Sequence, residues 1–391
     1  MEIEVAELNI AIFAAFYQPH IGGFEKNAHE LAKRLVLKGH NVSIVTCNTN
    51  NANAYELIDK VFVVRLPCWN ILNGAYPIPL PKLSKQLQGS SLLVNPDVVI
   101  TQTRFFPISL LGMLFALVKR KPLIHVERGS CHSVVQSGIV NLICRIYDHI
   151  IGSLIVKYAK VNVGISSSAC DFINHLGAQA RLIYNGIEIS RFKQQLPYIT
   201  NEISIIYVGR LIYAKGIQDL IEAFNQCGCH YPGIRLIIIG DGNYRQQLEY
   251  RAIQSRFANH IKFLGELDNA HVMSVLVMSD IFVNPSYSEG LPTSVIEAAS
   301  VGLPVIATDV GGTNEIIEQS KTGLLVQPHD ISMLTNNIMQ VIMRLPDYKV
   351  MGNNAKELVK EKFNWDFITT EWIWLLNRLD KPVSAYVEYM D

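Results

Sequence analysis

The amino-acid sequence predicts an α/β protein with two doubly wound domains, each built around a parallel sheet. The chain has 391 residues, 49% of them hydrophobic and 17% charged, which is enough material for two packed cores. Short, nearly continuous apolar runs alternate with longer amphipathic stretches, as is typical of parallel strands covered by helices on both faces. The alternation stops once, after Phe192, and then restarts. We therefore expect one domain over 1–193 and a second over 202–362.

The predicted first domain contains strands separated by helices. These strands cover residues 8–13, 42–46, 61–65, 97–101, 123–127, 161–165 and 181–184. The stretch KQQLPYITNE that comes after Phe192 is polar and contains a proline. Such a composition is typical of an interdomain linker or hinge.

The predicted second domain repeats this architecture. Its strands are expected at 203–208, 234–239, 260–264, 280–284, 304–308 and 323–326. The tail over 363–391 contains the helical segment NWDFITTEWIWLLNRL, whose aromatic face needs a docking surface. This helix is expected either to cap the second domain or to cross back and brace the first domain, and we favour packing back towards the first domain.

The charge balance argues against nucleic acid as a partner. Lys plus Arg and Asp plus Glu both number 34, so no basic excess attracts a phosphate backbone. Seven cysteines without paired spacing favour free thiols in a reducing compartment. Cys227, Cys229 and His230 lie close in sequence, but no second ligand pair stands at zinc-site spacing. We therefore predict no metal site.

Two features of the sequence bear on location. Glu2, Glu4 and Glu7 stand where a signal peptide would need positive charge. The longest uncharged apolar run, 105–118, is shorter than the ~20 residues that a membrane span needs. We expect a cytoplasmic protein. The stretches 105–118 and 139–156 would either present an apolar face to the inner surface of the membrane or be buried helices.

Two cations surround the first strand-to-helix turn of the predicted second domain. Ligands of open α/β sheets lie beyond the carboxyl ends of the strands. Here the strand over 203–208 runs into Gly209 and Arg210, and Lys215 opens the next helix. Arginine offers phosphate oxygens a planar fork and lysine supplies a mobile point charge, so the pair suits a diphosphate.

A second turn of the same domain is also predicted to bind an anion. The stretch 284–297 follows a strand and opens a helix, with Pro292 placed as a first-turn proline. Backbone N–H groups around 291–294 are then unpaired, and such a helix end attracts phosphate. Glu289 in the loop and Glu297 inside the helix flank this site, where a carboxylate can accept hydrogen bonds from hydroxyls.

A resemblance to a known family is carried by the segments GRLIYAKG, IIGDG, FLGEL, NPSYSEGLPTSVIEAASVGLPVIATDVGG and NEII. They resemble the large retaining glycosyltransferase family that includes sucrose synthases and bacterial phosphatidylinositol mannosyltransferases. The signature of that family pairs two glutamates eight positions apart, as Glu289 and Glu297 are here. PHIGGFE and IYNGIEISRF extend the resemblance over most of the chain. It implies a GT-B architecture, in which two Rossmann-like domains face a central cleft.

The resemblance also implies roles for individual residues. Arg210 and Lys215 would hold the diphosphate of the donor. Glu297 would hold the ribose hydroxyls and Glu289 would face the donor sugar. Further positions would line the bound nucleotide sugar, largely through backbone groups: Gly22, Gly23, Gly209, Gly240, Asp241, Gly265, Glu266, Leu267, Gly290, Leu291, Pro292 and Thr293.

One position near the donor sugar is open between two residues. Members of the family usually place a histidine at a strand end of the first domain, whereas this chain reads LIHVERGSCH. His125 lies inside the predicted strand and Arg128 occupies the turn, so either is a candidate catalytic residue. We favour Arg128, because the turn faces the predicted cleft, and expect His125 to pack in the core.

The implied chemistry needs a nucleotide sugar and no cofactor. Cations and helix amides aimed at the departing diphosphate would stabilise its developing charge, and the sequence contains no Asp-x-Asp to hold a metal. We predict metal-independent transfer of a hexose-type sugar from a UDP-, GDP- or ADP-sugar. The resemblance implies retention of anomeric configuration, with the donor phosphate helping to take the proton of the acceptor.

The acceptor and two competing functions stay open. The acceptor is expected to be a glycan or a lipid-linked molecule, in cell-surface polysaccharide or glycolipid biosynthesis. A sugar-nucleotide epimerase or hydrolase would use the same two domains without an acceptor. A catalytically idle partner subunit that binds sugar nucleotides would agree with the atypical ERGS turn.

Overall fold

The computed structural model of the chain describes residues 7–19, 23–71, 76–80, 93, 95–132, 138–188 and 202–379. These residues form two compact units. The first is built from the described residues within Met1–Ser133, Ile139–Gly186 and Trp365–Asp391, and the second contains those within Ile187–Asn364. Most of the predicted linker, 193–201, lies outside the described residues.

The strands of the first unit include every strand predicted for it. Within the described residues they are β1 (Asn9–Phe13), β2 (Asn41–Cys47), β3 (Tyr55–Ile58), β4 (Val61–Leu66), β5 (Cys68–Ile71), β6 (Tyr76–Pro79), β7 (Val98–Gln102), β8 (Leu123–Glu127), β9 (Val161–Gly164) and β10 (Ala180–Leu182). Eight of them form one sheet in the order β10-β9-β8-β7-β1-β2-β4-β3. The order reverses beside β1, which pairs in parallel with both β2 and β7.

The prediction of a purely parallel sheet in the first unit is wrong at one edge. β3 pairs antiparallel with β4 across a turn in which Asp59 and Lys60 both have positive φ, as a tight hairpin requires. β5 and β6 form a separate antiparallel pair. β3 was not predicted, because its segment YELI is largely exposed and lacks the apolar run of a central strand.

The helices of the first unit cover both faces of its sheet. Within the described ranges they include α1 (Gly23–Leu37), α2 (Pro107–Lys119), α3 (Gly138–Tyr147), α4 (Ser153–Tyr158) and α5 (Ser167–His175). Local sequence explains where they start. Pro107 occupies the first turn of α2, where its missing N–H costs nothing. Ser166 caps α5 by accepting a hydrogen bond from the backbone N–H of Ala169.

A π-helical turn, Asp148–Gly152, joins α3 to α4 without a break. The resulting segment Gly138–Tyr158 has 21 residues and contains an 18-residue window with a mean hydropathy of 1.6, so its length and composition alone would allow it to cross a membrane. Its inner side is packed against the first unit, however, with Cys144, Asp148 and Ile155 buried. It is therefore a helix of this domain with one exposed apolar side.

The second unit is parallel throughout its described sheet. Its strands are β11 (Ile203–Val208), β12 (Ile234–Ile239), β13 (Ile261–Gly265), β14 (Ile281–Asn284), β15 (Val305–Thr308) and β16 (Leu324–Val326), in the order β13-β12-β11-β14-β15-β16. All six strands predicted for this domain are present. In order along the chain, they occupy positions 3-2-1-4-5-6 of the sheet, which is the Rossmann order. The point at which the order reverses lies between β11 and β14.

The helices of the second unit alternate with these strands. They are α6 (Ile217–Gly228), α7 (Arg245–Ile253), α8 (Asn269–Val277), α9 (Thr293–Ser300), α10 (Ile331–Met343) and α11 (Leu345–Lys362), with single 3₁₀ turns at Tyr213–Lys215, Ala258–His260 and Gly311–Glu315. Fully buried apolar residues of the strands and helices form a continuous core that includes Tyr207 and Phe224. Burying one such aliphatic or aromatic side chain contributes about 1.5–3 kcal/mol to stability. The packed strands and helices therefore hold the turns between them in place.

The last helix among the described residues, α12 (Trp365–Leu376), packs within the first unit. Trp365 lies against Gly186, where a Cβ would come within 2.4 Å of the indole ring. Arg181 forms an ion pair with Glu371 at 2.6 Å. The aromatic face noted in the sequence is therefore covered by residues of the first unit.

Candidate functional site

The reversal point of the second sheet brings the two predicted anion-binding turns together. β11 leads into Gly209 and Arg210, and the neighbouring β14 leads into Pro285. The backbone N–H of Tyr287 donates to the carbonyl of Ala214 at 2.8 Å, so the two turns are joined directly. In sheets of this order, ligands bind at the place where neighbouring strands send their connections in opposite directions.

Lys215 and Glu289 meet in this place. The Nζ of Lys215 lies 2.7 Å from Oε1 of Glu289, and their side chains are only 18% and 9% exposed. Ser286 donates its hydroxyl to the same carboxylate oxygen at 2.6 Å. Sequence reasoning assigned Lys215 to phosphate and Glu289 to sugar without predicting this ion pair. An ammonium group has three N–H donors, so the pairing leaves Lys215 able to bind an anion as well.

Arg210 lies at the rim of the same turn with an exposed side chain. Among the described residues, no carboxylate forms an ion pair with its guanidinium group. A hydrogen bond holds the backbone of Arg210 in place, because the hydroxyl of the buried Tyr207 donates to the Arg210 carbonyl at 3.3 Å. A held backbone and an extended cationic side chain suit a residue that closes on a phosphate group.

The N-terminus of α9 is the third part of the site. The expectation of Pro292 as a first-turn proline is wrong by one position, since Pro292 is the N-cap and Thr293 is the first helical residue. No side chain caps this end, and the Pro292 carbonyl accepts the N–H groups of Val295 and Ile296. Among the described residues, the N–H groups of Thr293 and Ser294 have no such partner. This end therefore presents two backbone donors and the positive end of the helix dipole.

The loop of Glu289, Gly290 and Leu291 is held by a glycine that the sequence analysis did not single out. Gly311 has φ 56°, and a Cβ there would lie 1.9 Å from the carbonyl oxygen of Glu289. Its neighbour Gly312 donates its N–H to the carbonyl of Gly290 at 2.8 Å. Both glycines belong to the quoted segment DVGG. Only glycine combines this conformation with so close an approach.

Glu297 lies in the middle of α9. It is partly exposed, whereas Ile296 and Ala298 on either side are buried. The buried residues of α9 anchor the helix in the hydrophobic core, so the backbone position of Glu297 is fixed. Both glutamates of the signature therefore belong to the segment that follows β14, one in the loop and one inside the helix.

Three neighbouring turns form the other side of the reversal point. The N–H of Gly240 donates to the carbonyl of Gly265 at 2.8 Å, and the N–H of Leu211 donates to the carbonyl of Asp241 at 2.8 Å. Gly240 has φ 130°, and a Cβ on it would lie 2.0 Å from the Gly209 carbonyl oxygen. These contacts set the turns of Gly209, Asp241 and Gly265 side by side.

The Asp241 carboxylate is used within its own turn. It accepts hydrogen bonds from the backbone N–H of Gly242 at 2.7 Å and from Arg245 at 2.9 Å. The Gly242 hydrogen bond, followed by the Arg245 contacts, lowers the pKa of this carboxyl group. Leu267, one turn further, is half-buried. Recognition at this side would therefore depend on backbone groups rather than on the Asp241 side chain.

In the first unit, a shallow pocket lies at the corresponding reversal point, between β1 and β7. Its lining includes Phe16, Glu25, Gln102 and Arg128. Arg128 is 2% exposed and donates to Gln102 at 3.1 Å and to Asn185 at 3.0 Å. Burial lowers the pKa of Arg128 to about 10, against the opposing effect of Glu25 and Glu127. The group is therefore cationic at neutral pH.

His125 occupies a different environment from Arg128. It is fully buried inside β8, and its ring nitrogens contact Thr101 at 2.9 Å and Glu127 at 3.4 Å. Of the two candidates near the donor sugar, the structure thus places Arg128 at the pocket and encloses His125. Gly23 begins α1, and Gly22 lies outside the described residues.

A buried ion network supports the turn that carries Arg128. Glu127 accepts the backbone N–H groups of Arg128 and Gly129 and pairs with Arg104 at 2.9 Å. Arg104 also pairs with the buried Asp148 at 3.0 Å. Burial alone would raise the pKa of Glu127, but Arg104, His125 and the Gly129 N–H lower it to about 2. The network keeps this turn anchored to β8.

Comparison with known proteins gives the class. Residues 21–191 match the model of the family described as "Glycosyltransferase Family 4". Residues 188–358 match the model of the family described as "Glycosyl transferases group 1". The uncharacterized glycosyltransferase MJ1069 of Methanocaldococcus jannaschii is 30% identical over 390 residues, covering 95% of this chain and 99% of that protein. Sucrose-phosphate synthase from Thermosynechococcus elongatus is a structural neighbour with a TM-score of 0.76 and 22% identity, covering 95% and 98%. Alr3699/HepE from Anabaena, in complex with UDP and glucose, has a TM-score of 0.74 and 20% identity, covering 95% and 99%.

Two Rossmann-like domains, with the predicted motifs at the reversal point of the second, define a glycosyltransferase of the GT-B class. The predicted fold class is thereby confirmed. The chain belongs to the group 1 glycosyl transferase family.

Proposed function

We propose that this glycosyltransferase moves a hexose-type sugar from a nucleoside-diphosphate sugar to a lipid-linked or glycan acceptor, with retention of anomeric configuration and without a bound metal. The observation that carries the proposal is the convergence of Lys215, Glu289 and the uncapped start of α9 at one strand end. Departure of a diphosphate builds negative charge, and donors already aimed at that charge lower the barrier.

The diphosphate would be held by cations and backbone amides together. Arg210 offers an exposed guanidinium group, Lys215 a half-buried ammonium group and the start of α9 two N–H donors. This set supplies positive charge and directed hydrogen bonds, which are the two things that a bound Mg²⁺ supplies in other transferases. The proposal of metal independence rests on this set.

Retention is supported by the surroundings of Glu289. Its carboxylate is engaged by Lys215 and Ser286, so it suits positioning of the sugar better than direct attack on it. Attack by the acceptor from the face of the departing phosphate, with a phosphate oxygen taking the proton, then preserves the configuration. Arg128 in the first unit is our candidate for a further cation near the donor.

UDP is the first nucleotide to test. HepE was solved with UDP and glucose, and its fold covers 95% of this chain. The turns of Gly240 and Gly265 offer backbone groups to a base, which supports recognition of any of several bases. A thermal-shift screen of UDP-, GDP- and ADP-sugars ranks them, because a ligand that binds only the native state raises its apparent stability.

The exposed side of the segment Gly138–Tyr158 supports a lipid-linked acceptor. Six aliphatic side chains, three or four residues apart for the most part, are each at least half exposed among the described residues: Ile139, Leu142, Ile143, Ile146, Ile150 and Leu154. Such a stripe on a helix whose other side is buried fits the surface of a bilayer. We name these six residues the apolar stripe.

The charges near the apolar stripe favour an anionic membrane surface. Arg145 and Lys157 are exposed on the same segment, and its one carboxylate, Asp148, is fully buried. Basic residues beside an inserted apolar face are attracted to anionic lipid. We propose that the enzyme works at the inner face of the membrane, where its acceptor would be anchored.

The experiment is a transfer assay with the donor that ranks first and a membrane extract as acceptor source. Lys215→Ala should lower kcat about 10²- to 10³-fold, as loss of one pre-placed charge-stabilising donor does in other enzymes. Lys321→Ala, on an exposed lysine of the same unit, is the matched control and should behave as wild type. Proton NMR of the product should show the donor's anomeric configuration.

Four results would contradict the proposal. Lys215→Ala with wild-type turnover would remove the diphosphate role. An inverted product would remove retention. Donor binding without transfer to any acceptor would instead favour a catalytically idle sugar-nucleotide-binding subunit, and turnover to free sugar without acceptor would favour a hydrolase.

A further inference from the structure

Three histidines of the first unit form a cluster. His132 follows β8, His149 lies in the π-helical turn after α3, and His175 ends α5. One ring nitrogen of each lies within 4.8 Å of those of the other two. The ring centroids are 5.2, 5.8 and 5.3 Å apart in pairs. None of the three belongs to the residues assigned to donor binding.

A buried carboxylate orients one of these rings. Nδ1 of His132 lies 2.7 Å from Oδ2 of Asp148, which is fully buried and also held by Arg104. With its Nδ1–H donated to Asp148, His132 keeps a lone pair on Nε2. A histidine that donates one nitrogen to a carboxylate and offers the other is the usual arrangement of metal-ligating histidines.

We propose that His132, His149 and His175 bind one Zn²⁺ ion. Neutral imidazole is a favoured zinc ligand, and three protein nitrogens with a fourth position left to water form a common zinc site. Bonds of 2.0–2.1 Å in a tetrahedron place ligand nitrogens about 3.3 Å apart. The nitrogens therefore have to approach one another by at most about 1.5 Å, which rotation of the exposed rings of His149 and His175 allows.

The ion would connect three separate elements of the first unit. One is the segment after β8, which also carries Arg128, and the others are the π-helical turn and the end of α5. Asp148 links the cluster to Arg104, and Arg104 links it to Glu127 beneath the same segment. Zinc bound to His132 would therefore hold the C-terminal end of the segment that carries Arg128. It shares no residue with the proposed diphosphate site in the second unit.

The test is zinc binding to chelator-stripped full-length protein, measured by competition with a chromophoric chelator. Wild type should bind one zinc per chain, and zinc should raise its Tm. His149→Ala and His175→Ala should each lose stoichiometric binding and the rise in Tm. Both side chains are exposed, so neither substitution threatens the fold. His271→Ala, on an exposed histidine of the second unit that pairs with Asp268, is the control and should bind as wild type.

Cobalt gives a second readout. Co²⁺ in place of zinc should give the strong visible absorption of tetrahedral coordination in wild type and in the control variant, and not in His149→Ala. Unchanged zinc affinity in both cluster variants would overturn the proposal, and so would absence of zinc binding by wild type.

The His149→Ala variant separates two proposals, the zinc site in the first unit and metal-independent transfer at the donor site. Transfer by that variant in EDTA should equal transfer without EDTA, because its zinc site has been removed. If the variant still lost activity in EDTA, the metal independence of the donor site would be wrong while the zinc assignment stood on its binding data.

Discussion

The ammonium group of Lys215 is shared between a carboxylate and any anion that binds at the reversal point. Its partner Glu289 is 9% exposed, so the ion pair lies in a partly desolvated place where charges interact more strongly than in water. This pairing keeps a flexible side chain in position before use. In the reaction that we propose, such a pre-placed ammonium group would stabilise the leaving diphosphate without reorganisation.

Glu127 supports a prediction about pH. Its pKa in the folded protein is about 2, below the roughly 4.3 of an exposed glutamate, so the ionised form is stabilised by folding. A lowered folded pKa contributes stability above the unfolded pKa, and this stability is lost as pH falls from about 4.3 towards 2. Glu127→Gln should therefore lower the free energy of unfolding of the first unit by about 3 kcal/mol at pH 7, since it leaves buried Arg104 with less compensation.

Urea denaturation from pH 7 down to pH 3 measures this effect. The difference between wild type and Glu127→Gln should narrow below about pH 4. Glu318→Gln, on an exposed glutamate of the second unit, serves as the control and should show no such narrowing. A difference that stays constant over the whole range would contradict the role of ionised Glu127.

At the scale of elements, the sequence predicted what depends on repeated apolar patterning. All central strands of both sheets were predicted because they are buried on both faces and read as apolar runs. β3 and β5 were missed because they are short and largely exposed, and β6 because it has only four residues, two of them prolines. The clustering of His132, His149 and His175 was also missed, since nothing in their spacing shows that three elements meet.

The sequence of the segment Gly138–Tyr158 also did not show which of its sides would be buried. Its composition fitted either a buried helix or a membrane surface, and the structure shows an inner side that is buried and an outer side that carries the apolar stripe. Asp148 lies on the buried side of this helix. Its ion pair with Arg104 fixes which side of the helix faces the sheet.

The apolar stripe leads to a prediction on membrane binding. Wild type should float with vesicles of phosphatidylcholine and phosphatidylglycerol, and the double substitution Ile143→Glu with Ile146→Glu should lower the partition at least about tenfold. Each substitution removes apolar area that would be buried in the membrane, and each new carboxylate is repelled by anionic lipid. Val350→Glu, at an exposed apolar site of α11, is the matched control. Equal flotation of the double variant and wild type would contradict membrane contact by this surface.

At the scale of the whole molecule, two sheets with reversal points are what the βα alternation predicts. The motifs assigned to the donor were predicted to lie together because they follow strands, and topology brings strand ends together at the reversal point. The Lys215–Glu289 ion pair and the support from Gly311 depend on loop geometry, which the sequence pattern does not encode. Arg128 in the first unit could be proposed from its turn, but its partners Gln102 and Asn185 are distant in sequence.

Isothermal titration of the nucleoside diphosphate of the preferred donor tests the central claim most directly. Loss of a charge-assisted hydrogen bond costs about 1.5–3 kcal/mol, so Arg210→Ala should weaken binding roughly 10- to 100-fold. Glu297→Ala should weaken it by about tenfold through the ribose, while Arg344→Ala, on an exposed arginine of the same unit, should bind as wild type. Wild-type Kd values for both Arg210→Ala and Glu297→Ala would contradict a donor site at the reversal point of the second domain.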